Sequence, residues 1–246
     1  MGEVLMFAFF RSHRRRSFAE APFPPEWEPI VARRFAKLAD NEHFRVHLKV
    51  FAKDKDWVGV HELEVTDEMK VVISGEAARL ARNLDLDVYD ELRTIVIYPS
   101  HFTKKDADDD SVFLGQAFKW GQVVLSWDAV LNGLANPTDG RDTALHEFAH
   151  MLDAHGGVFD GTPELHDSRD YAAWAKVFSR HFLELREKPE GDVLRSYGAT
   201  NEAEFFAVAT ETFFEKPKQL KRAKPDLYEL LAKYYRLDPA PLSREK

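Results

Sequence analysis

The sequence predicts an α+β protein: mainly helical, with a small β-sheet and one helix built to carry a functional site. Three observations carry that reading. Apolar residues recur at helical spacing through most of the chain, β-branched runs are few and short, and strands do not alternate regularly with helices.

Taken in order, residues 1–21 read as a flexible basic arm closed by Pro22, Pro24 and Pro25, residues 22–240 as a single domain, and 241–246 as a tail. Trp27, Ile30, Val31, Phe35 and Leu38 share one helical face, and Phe44, Val46, Leu48 and Phe51 mark a second helix. Thr66 stands as an N-cap before Asp67 and Glu68, opening a helix through Val71, Ile73, Ala77, Leu80 and Ala81 that ends near Asn83. Thr94–Tyr98, stopped by Pro99, and Gln122–Trp127 read as strands, with His61–Val65 a weaker third. Lys104–Asp110, with two lysines and four aspartates, reads as a solvated acidic loop, and a calcium-binding reading fails because no Gly or terminal Glu falls at calcium-loop spacing. Asn132–Gly140 breaks the chain before a helix over Arg141–Asp153, and Gly156, Gly157 and Gly161 mark an irregular connection. Tyr171–Leu185 and Asn201–Phe214 read as helices around a loop at Pro189–Ala199, and Pro225 initiates a last helix through Tyr235.

Composition narrows the chemistry. A chain of 246 residues with 44% apolar and 13% aromatic content can bury a sizeable core. The absence of cysteine excludes disulfides, iron–sulfur clusters, thiol nucleophiles and Cys-based zinc sites, so any metal must rest on His and carboxylates. No apolar run is long enough for a bilayer span or placed as a secretory signal, which makes the cytoplasm the expected compartment and a membrane partner unexpected. Four arginines and one glutamate leave residues 1–16 at +3, and the remainder at −11. A body that acidic repels phosphates, so nucleic acid is not an expected partner despite Arg11 and Arg14–Arg16.

The informative segment is 144–153, ALHEFAHMLD, which contains H-E-x-x-H. On a helix turning about 100° per residue, His146 and His150 lie about 40° apart and one turn from each other, so two imidazoles can meet one ion. Glu147, one step around, can reach a water held by that ion, while Leu145, Phe148, Ala149 and Leu152 form the opposite, core-facing stripe. Two imidazoles and a carboxylate suit zinc; the alternative is a metal-free pair of hydrogen-bonded histidines. A third donor is required. A metzincin would place His six residues after the second ligand, but that position is Gly156, and His155 is one residue short. Glu204 on the later helix is open to two readings, a metal donor or the N3 carboxylate of a capping box begun by Asn201. Glu211, about 20° from Glu204 but two turns on, and Asp153, three after His150, each read either as a support for a ligand or as an ordinary helix acid. Glu202 faces away from both.

HEFAHMLD (146–153) together with YGATNEAEFFAVATETFFEKP (197–217) resembles the M90 zinc metallopeptidases. PFPPEW (22–27), LEVTDEMKVVISGEAARL (63–80) and LRTIVIYPSHF (92–102) extend the likeness upstream, while 102–120 matches poorly. The resemblance implies a gluzincin-like zincin in which His146, His150 and Glu204 bind Zn²⁺ and Glu147 is the general base. It also implies a role for Tyr197 in holding the tetrahedral intermediate. Family members are cytoplasmic and cleave short peptides with aminopeptidase character, and one binds a glucose-responsive repressor. The function expected is therefore hydrolysis of peptide substrates by a zinc-activated water. The alternative is a regulatory module that sequesters a transcriptional repressor and keeps the zinc site mainly as scaffold.

Overall fold

The computed structural model describes residues 12–100, 121–154 and 158–240. The acidic loop 104–110, Arg11, His155, Gly156, Gly157 and the tail 241–246 lie outside the described residues. The protein is mostly helical with one three-stranded parallel sheet, consistent with the α+β class. Two compact units divide the chain, residues 1–128 and 129–246.

In the first unit, α1 (12–20) is followed by a 3-10 turn at Pro25–Trp27, then α2 (Glu28–Arg34) and α3 (Glu42–Asp54). The expected solvated arm is corrected here for residues 12–20. Arg14 Nη2 donates to Asp54 Oδ1 at 2.9 Å and Arg15 Nε to Asp54 Oδ2 at 3.2 Å, with the Arg15 side chain buried. Lys49 Nζ donates to the Ala19 carbonyl at 3.0 Å and also to that of Ala21. A cluster of arginines reads as solvated only until a buried carboxylate elsewhere in the chain claims it.

Asn41 caps α3 by accepting from the Phe44 amide, and Thr66 caps α4 (Asp67–Ala81) by accepting from the Met69 amide, as its sequence announces. α3 and α4 pack together through Phe44, Leu48, Val71, Val72, Ile73, Ala77 and Leu80, all buried. Phe35 seats its ring on Gly75, where a Cβ would stand 2.2 Å from Phe35 Cε2; this close approach requires glycine.

The sheet runs β1 (Asp56–Gly59), β2 (Thr94–Tyr98), β3 (Gln122–Ser126) in that order, with Ile95 beside Val123 and Ile97 beside Leu125. Those four are buried while Thr94, Val96 and Tyr98 are half-buried, so the sheet has one core face. Because β1 and β2 are parallel, α4 lies in the crossover between them. The first strand is Asp56–Gly59 and not His61–Val65: His61 and Glu62 hold φ of 55° and 61°, a left-handed turn that ends extended pairing. The third strand stops at Ser126, and Trp127 already begins α5 (Trp127–Ala135).

The second unit continues with α6 (Thr143–Asp153), α7 (Tyr171–Glu187), α8 (Glu202–Glu215), α9 (Pro217–Ala223) and α10 (Pro225–Tyr234). Prolines open α9 and α10, where their missing N–H costs nothing. α6 packs on α8, and Phe205, Phe206 and Phe213 of α8 enter an aromatic core with Trp174, Phe178, Tyr228, Tyr234 and Tyr235. Burying each of those phenylalanines contributes about 1.5–3 kcal/mol. The Tyr235 hydroxyl is satisfied inside that core by Thr210 Oγ1 at 2.8 Å. Among the described residues no helix is long and apolar enough to cross a membrane.

Candidate metal centre

Two capped helices bring the site together. Asp142 caps α6 by accepting from the Leu145 amide at 3.0 Å, and Leu145, Phe148, Ala149 and Leu152 bury the inner stripe. That leaves His146 and His150 one turn apart on a side facing α8. Asn201 caps α8 by accepting from the Glu204 amide at 2.9 Å. The capping arrangement is thus half made. The Glu204 carboxylate goes to the imidazoles, with Oε2 3.0 Å from His146 Nε2 and 3.4 Å from His150 Nε2.

His146 Nε2 and His150 Nε2 are 3.1 Å apart, so the three atoms form a triangle with edges of 3.0, 3.1 and 3.4 Å. Donors about 2.0–2.1 Å from one tetrahedral ion stand about 3.3 Å from each other. The triangle therefore has the dimensions of a three-donor metal face, and His146, His150 and Glu204, all buried, form a group that could hold a metal ion. Two imidazoles and one carboxylate are a donor set suited to zinc.

Electrostatics agree with that use. Burial opposes charge on Glu204, but His146 and His150 hold its carboxyl well below the ordinary carboxylate range. Burial likewise opposes charge on His146, yet Glu204 and Glu211 raise its imidazole to about 10. Without a cation the site thus keeps a proton between its carboxylates, and a divalent ion can replace it. Glu147, partly exposed beside His146, is raised chiefly by burial, with Glu204 and Glu211 adding and the two histidines opposing. The Tyr197 ring lies 5.8 Å from that of His146, centroid to centroid, and is 43% exposed.

The remaining acids separate. Glu202 is exposed. Glu211 accepts from His146 Nδ1 at 2.6 Å, on the ring edge opposite Glu204. Glu211 Oε1 also accepts from Arg195 Nη2 at 2.5 Å, and Oε2 from the Asp142 amide at 2.9 Å. Asp153 is fully buried; its Oδ2 accepts from the Gly161 amide at 3.0 Å, and burial raises the carboxyl to about 6. Gly161 has φ of 76°, and a Cβ there would stand 2.4 Å from the Glu202 carbonyl oxygen. With Trp174 Nε1 donating to its carbonyl at 3.0 Å, Gly161 fastens the loop after α6 onto the start of α8. Asp153 serves that fastening. Arg195 has no local signal in the sequence; only the fold brings it to Glu211.

The chain is 35% identical over 244 residues to the protein slr2042 of Synechocystis sp., covering 92% of this chain and 89% of that one. It is 29% identical to Mlc titration factor A of Pectobacterium atrosepticum, over 83% of this chain and 82% of the relative. Mlc titration factor A of Yersinia pestis is 32% identical over 61% and 60% of the two chains. The family description "glucose-regulated metallo-peptidase M90" matches residues 9–236, nearly the whole sequence, and the chain belongs to that family.

Proposed function

We propose that the protein is a zinc-dependent metallopeptidase acting on peptides, with aminopeptidase character and a cytoplasmic site of action. The observation that carries this reading is the triangle of His146 Nε2, His150 Nε2 and Glu204 Oε2, whose edges suit one tetrahedral ion, in a chain of a metallopeptidase family. These three residues would hold the zinc, which when bound lowers the pKa of water and polarises the scissile carbonyl. Glu147 accepts the proton of the attacking water and returns it to the leaving amine; a raised carboxyl pKa suits a group that must both take and give a proton. The Tyr197 hydroxyl donates to the oxyanion that develops on the carbonyl, and the position of its ring beside His146 supports that role.

Metal analysis of the purified protein, with cleavage of a mixed peptide library, tests the proposal. Stoichiometric zinc and stepwise loss of N-terminal residues are expected; internal cuts would replace the aminopeptidase character, and absence of both zinc and cleavage would overturn the reading. Tyr197→Phe is expected to lower kcat while zinc content and KM change little. An unaltered kcat removes the hydroxyl from the mechanism.

A second reading is favoured by the names of the relatives, which describe titration of Mlc. In it the protein sequesters a transcriptional repressor and its zinc site is mainly scaffold. Release of a repressor from operator DNA by zinc-loaded Glu147→Gln, with no peptide cleavage by wild type, would favour that reading.

A further inference from the structure

The metal triangle is held from outside by a chain of contacts that the candidate donors do not include. Glu211 is buried to 1% side-chain exposure and accepts from three donors: His146 Nδ1, Arg195 Nη2 and the Asp142 amide. A carboxylate with three donors aimed at it is an acceptor only, so the proton between Glu211 and His146 belongs on Nδ1. The opposite tautomer would set a ring lone pair against a carboxylate oxygen at 2.6 Å. With Nδ1–H held by Glu211, Nε2 is the ring nitrogen that can exchange its proton for an ion shared with Glu204 and His150.

Glu211 cannot hold that position alone. It lies buried on the same helix as Glu204, and a buried carboxylate is costly unless a cation is paired with it. Arg195 is the cation. Its Nη2 binds Glu211 while its Nε donates to the Gly140 carbonyl at 2.9 Å, two residues before the cap of α6. Gly140 has φ of 73°, so the turn into α6 uses the left-handed region that favours glycine. Arg195 also immediately precedes the 3-10 turn Ser196–Ala199 that carries Tyr197. One side chain therefore links the start of the histidine helix, the acid behind His146 and the segment beside the site.

We propose that Arg195 is a positioning residue for the metal centre: acting through Glu211, it fixes the Nδ1–H tautomer and the orientation of His146, so that Nε2 stays aimed at the metal. The inference rests on the metal-site reading above. A single ammonium cannot bind Glu211 and the Gly140 carbonyl in the two-point fork, but it preserves the charge. Arg195→Lys therefore separates charge from geometry, and Arg195→Met removes both.

The test measures zinc affinity by competitive chelator titration in wild type, His146→Ala, Arg195→Lys and Arg195→Met, with thermal unfolding of each chelated protein to establish that it folds. Nitrogen-15 histidine spectra of the zinc-loaded proteins report the Nδ1–H proton of His146. Arg195→Met is expected to bind zinc about 10- to 100-fold more weakly and to lose or shift the Nδ1–H resonance, and Arg195→Lys to fall in between. If Arg195→Met folds, binds zinc as wild type does and keeps the resonance, the positioning role is overturned. If wild type binds no zinc, or His146→Ala binds it equally well, the metal-site reading itself fails.

Discussion

The two units each bury a cluster of charges, and the clusters end in opposite states. In the first unit Asp54 meets Lys55, Arg14 and Arg15, charged donors with no lone pair to offer a metal ion. Burial opposes the Asp54 charge, but Lys55 and the two arginines hold the carboxyl far below its usual range. In the second unit Glu204 meets two imidazoles, whose ring nitrogens can exchange a proton for a metal ion. Donors without a lone pair close a buried carboxylate; imidazoles leave it open to a metal ion. Glu211 shows both behaviours on one side chain, its Oε1 meeting Arg195 and His146 together.

The largest expected effect sharpens that contrast within the open cluster. Glu147→Gln keeps the shape of the side chain and removes its ability to take a proton. Turnover of a cleaved peptide should fall by about 10²- to 10⁴-fold while zinc content stays at the wild-type level. Activity within a few-fold of wild type would remove Glu147 as the base.

The closed cluster should break through stability. Asp54→Asn removes the carboxylate that Lys55 and Arg15, both nearly inaccessible, share, leaving Arg15 to Asp90 and Lys55 to the Tyr89 carbonyl. Removing one partner of a buried ion pair costs about 3–5 kcal/mol, which urea unfolding would report as a lowered midpoint at unchanged slope. A loss below about 1 kcal/mol would mean that the cluster is solvated in the way the arginine-rich sequence first suggests. Smaller again is Gly75→Ala, where the new methyl meets the Phe35 ring. Overpacking of this kind costs about 1–3 kcal/mol, read from the same unfolding curves.

What could be read from the sequence follows the range of the forces involved. α4 and α8 are legible because Thr66 and Asn201 cap them within three residues of the cap, and α6 because Leu145, Phe148, Ala149 and Leu152 share one helical stripe. His146 and His150 are legible because one turn of helix is a fixed distance. β1 is not, since two exposed and two half-buried residues become a strand only against Thr94–Ile97. Arg14 and Arg15 meet an acid 39 to 40 residues away, and the bond of His146 to Glu211 spans 65. Glu204 lies between these cases. Its cap is local, but the destination of its carboxylate, 58 residues from His146, is decided by the packing of α6 on α8.

With pH the units should again diverge. His47 in α3 is drawn down to about 4 by burial, with His43 adding and Asp85 opposing, against an ordinary 6.5. Between pH 6.5 and 4 the unfolded chain therefore takes up a proton that folded His47 refuses. Its contribution to stability is complete above 6.5 and declines as pH falls toward 4. His146 has the opposite sign: raised to about 10 in the metal-free site, it stabilises fully below 6.5 and loses that contribution as pH rises through 10. Thermal midpoints of the chelated protein should thus fall on both sides of about pH 6.5, its ordinary histidine value. His47→Gln should flatten the acid limb alone. Zinc, taking the place of the proton on His146, should flatten the alkaline limb alone. An acid limb that survives His47→Gln would assign it to other groups, and an alkaline limb indifferent to zinc would separate His146 from the metal.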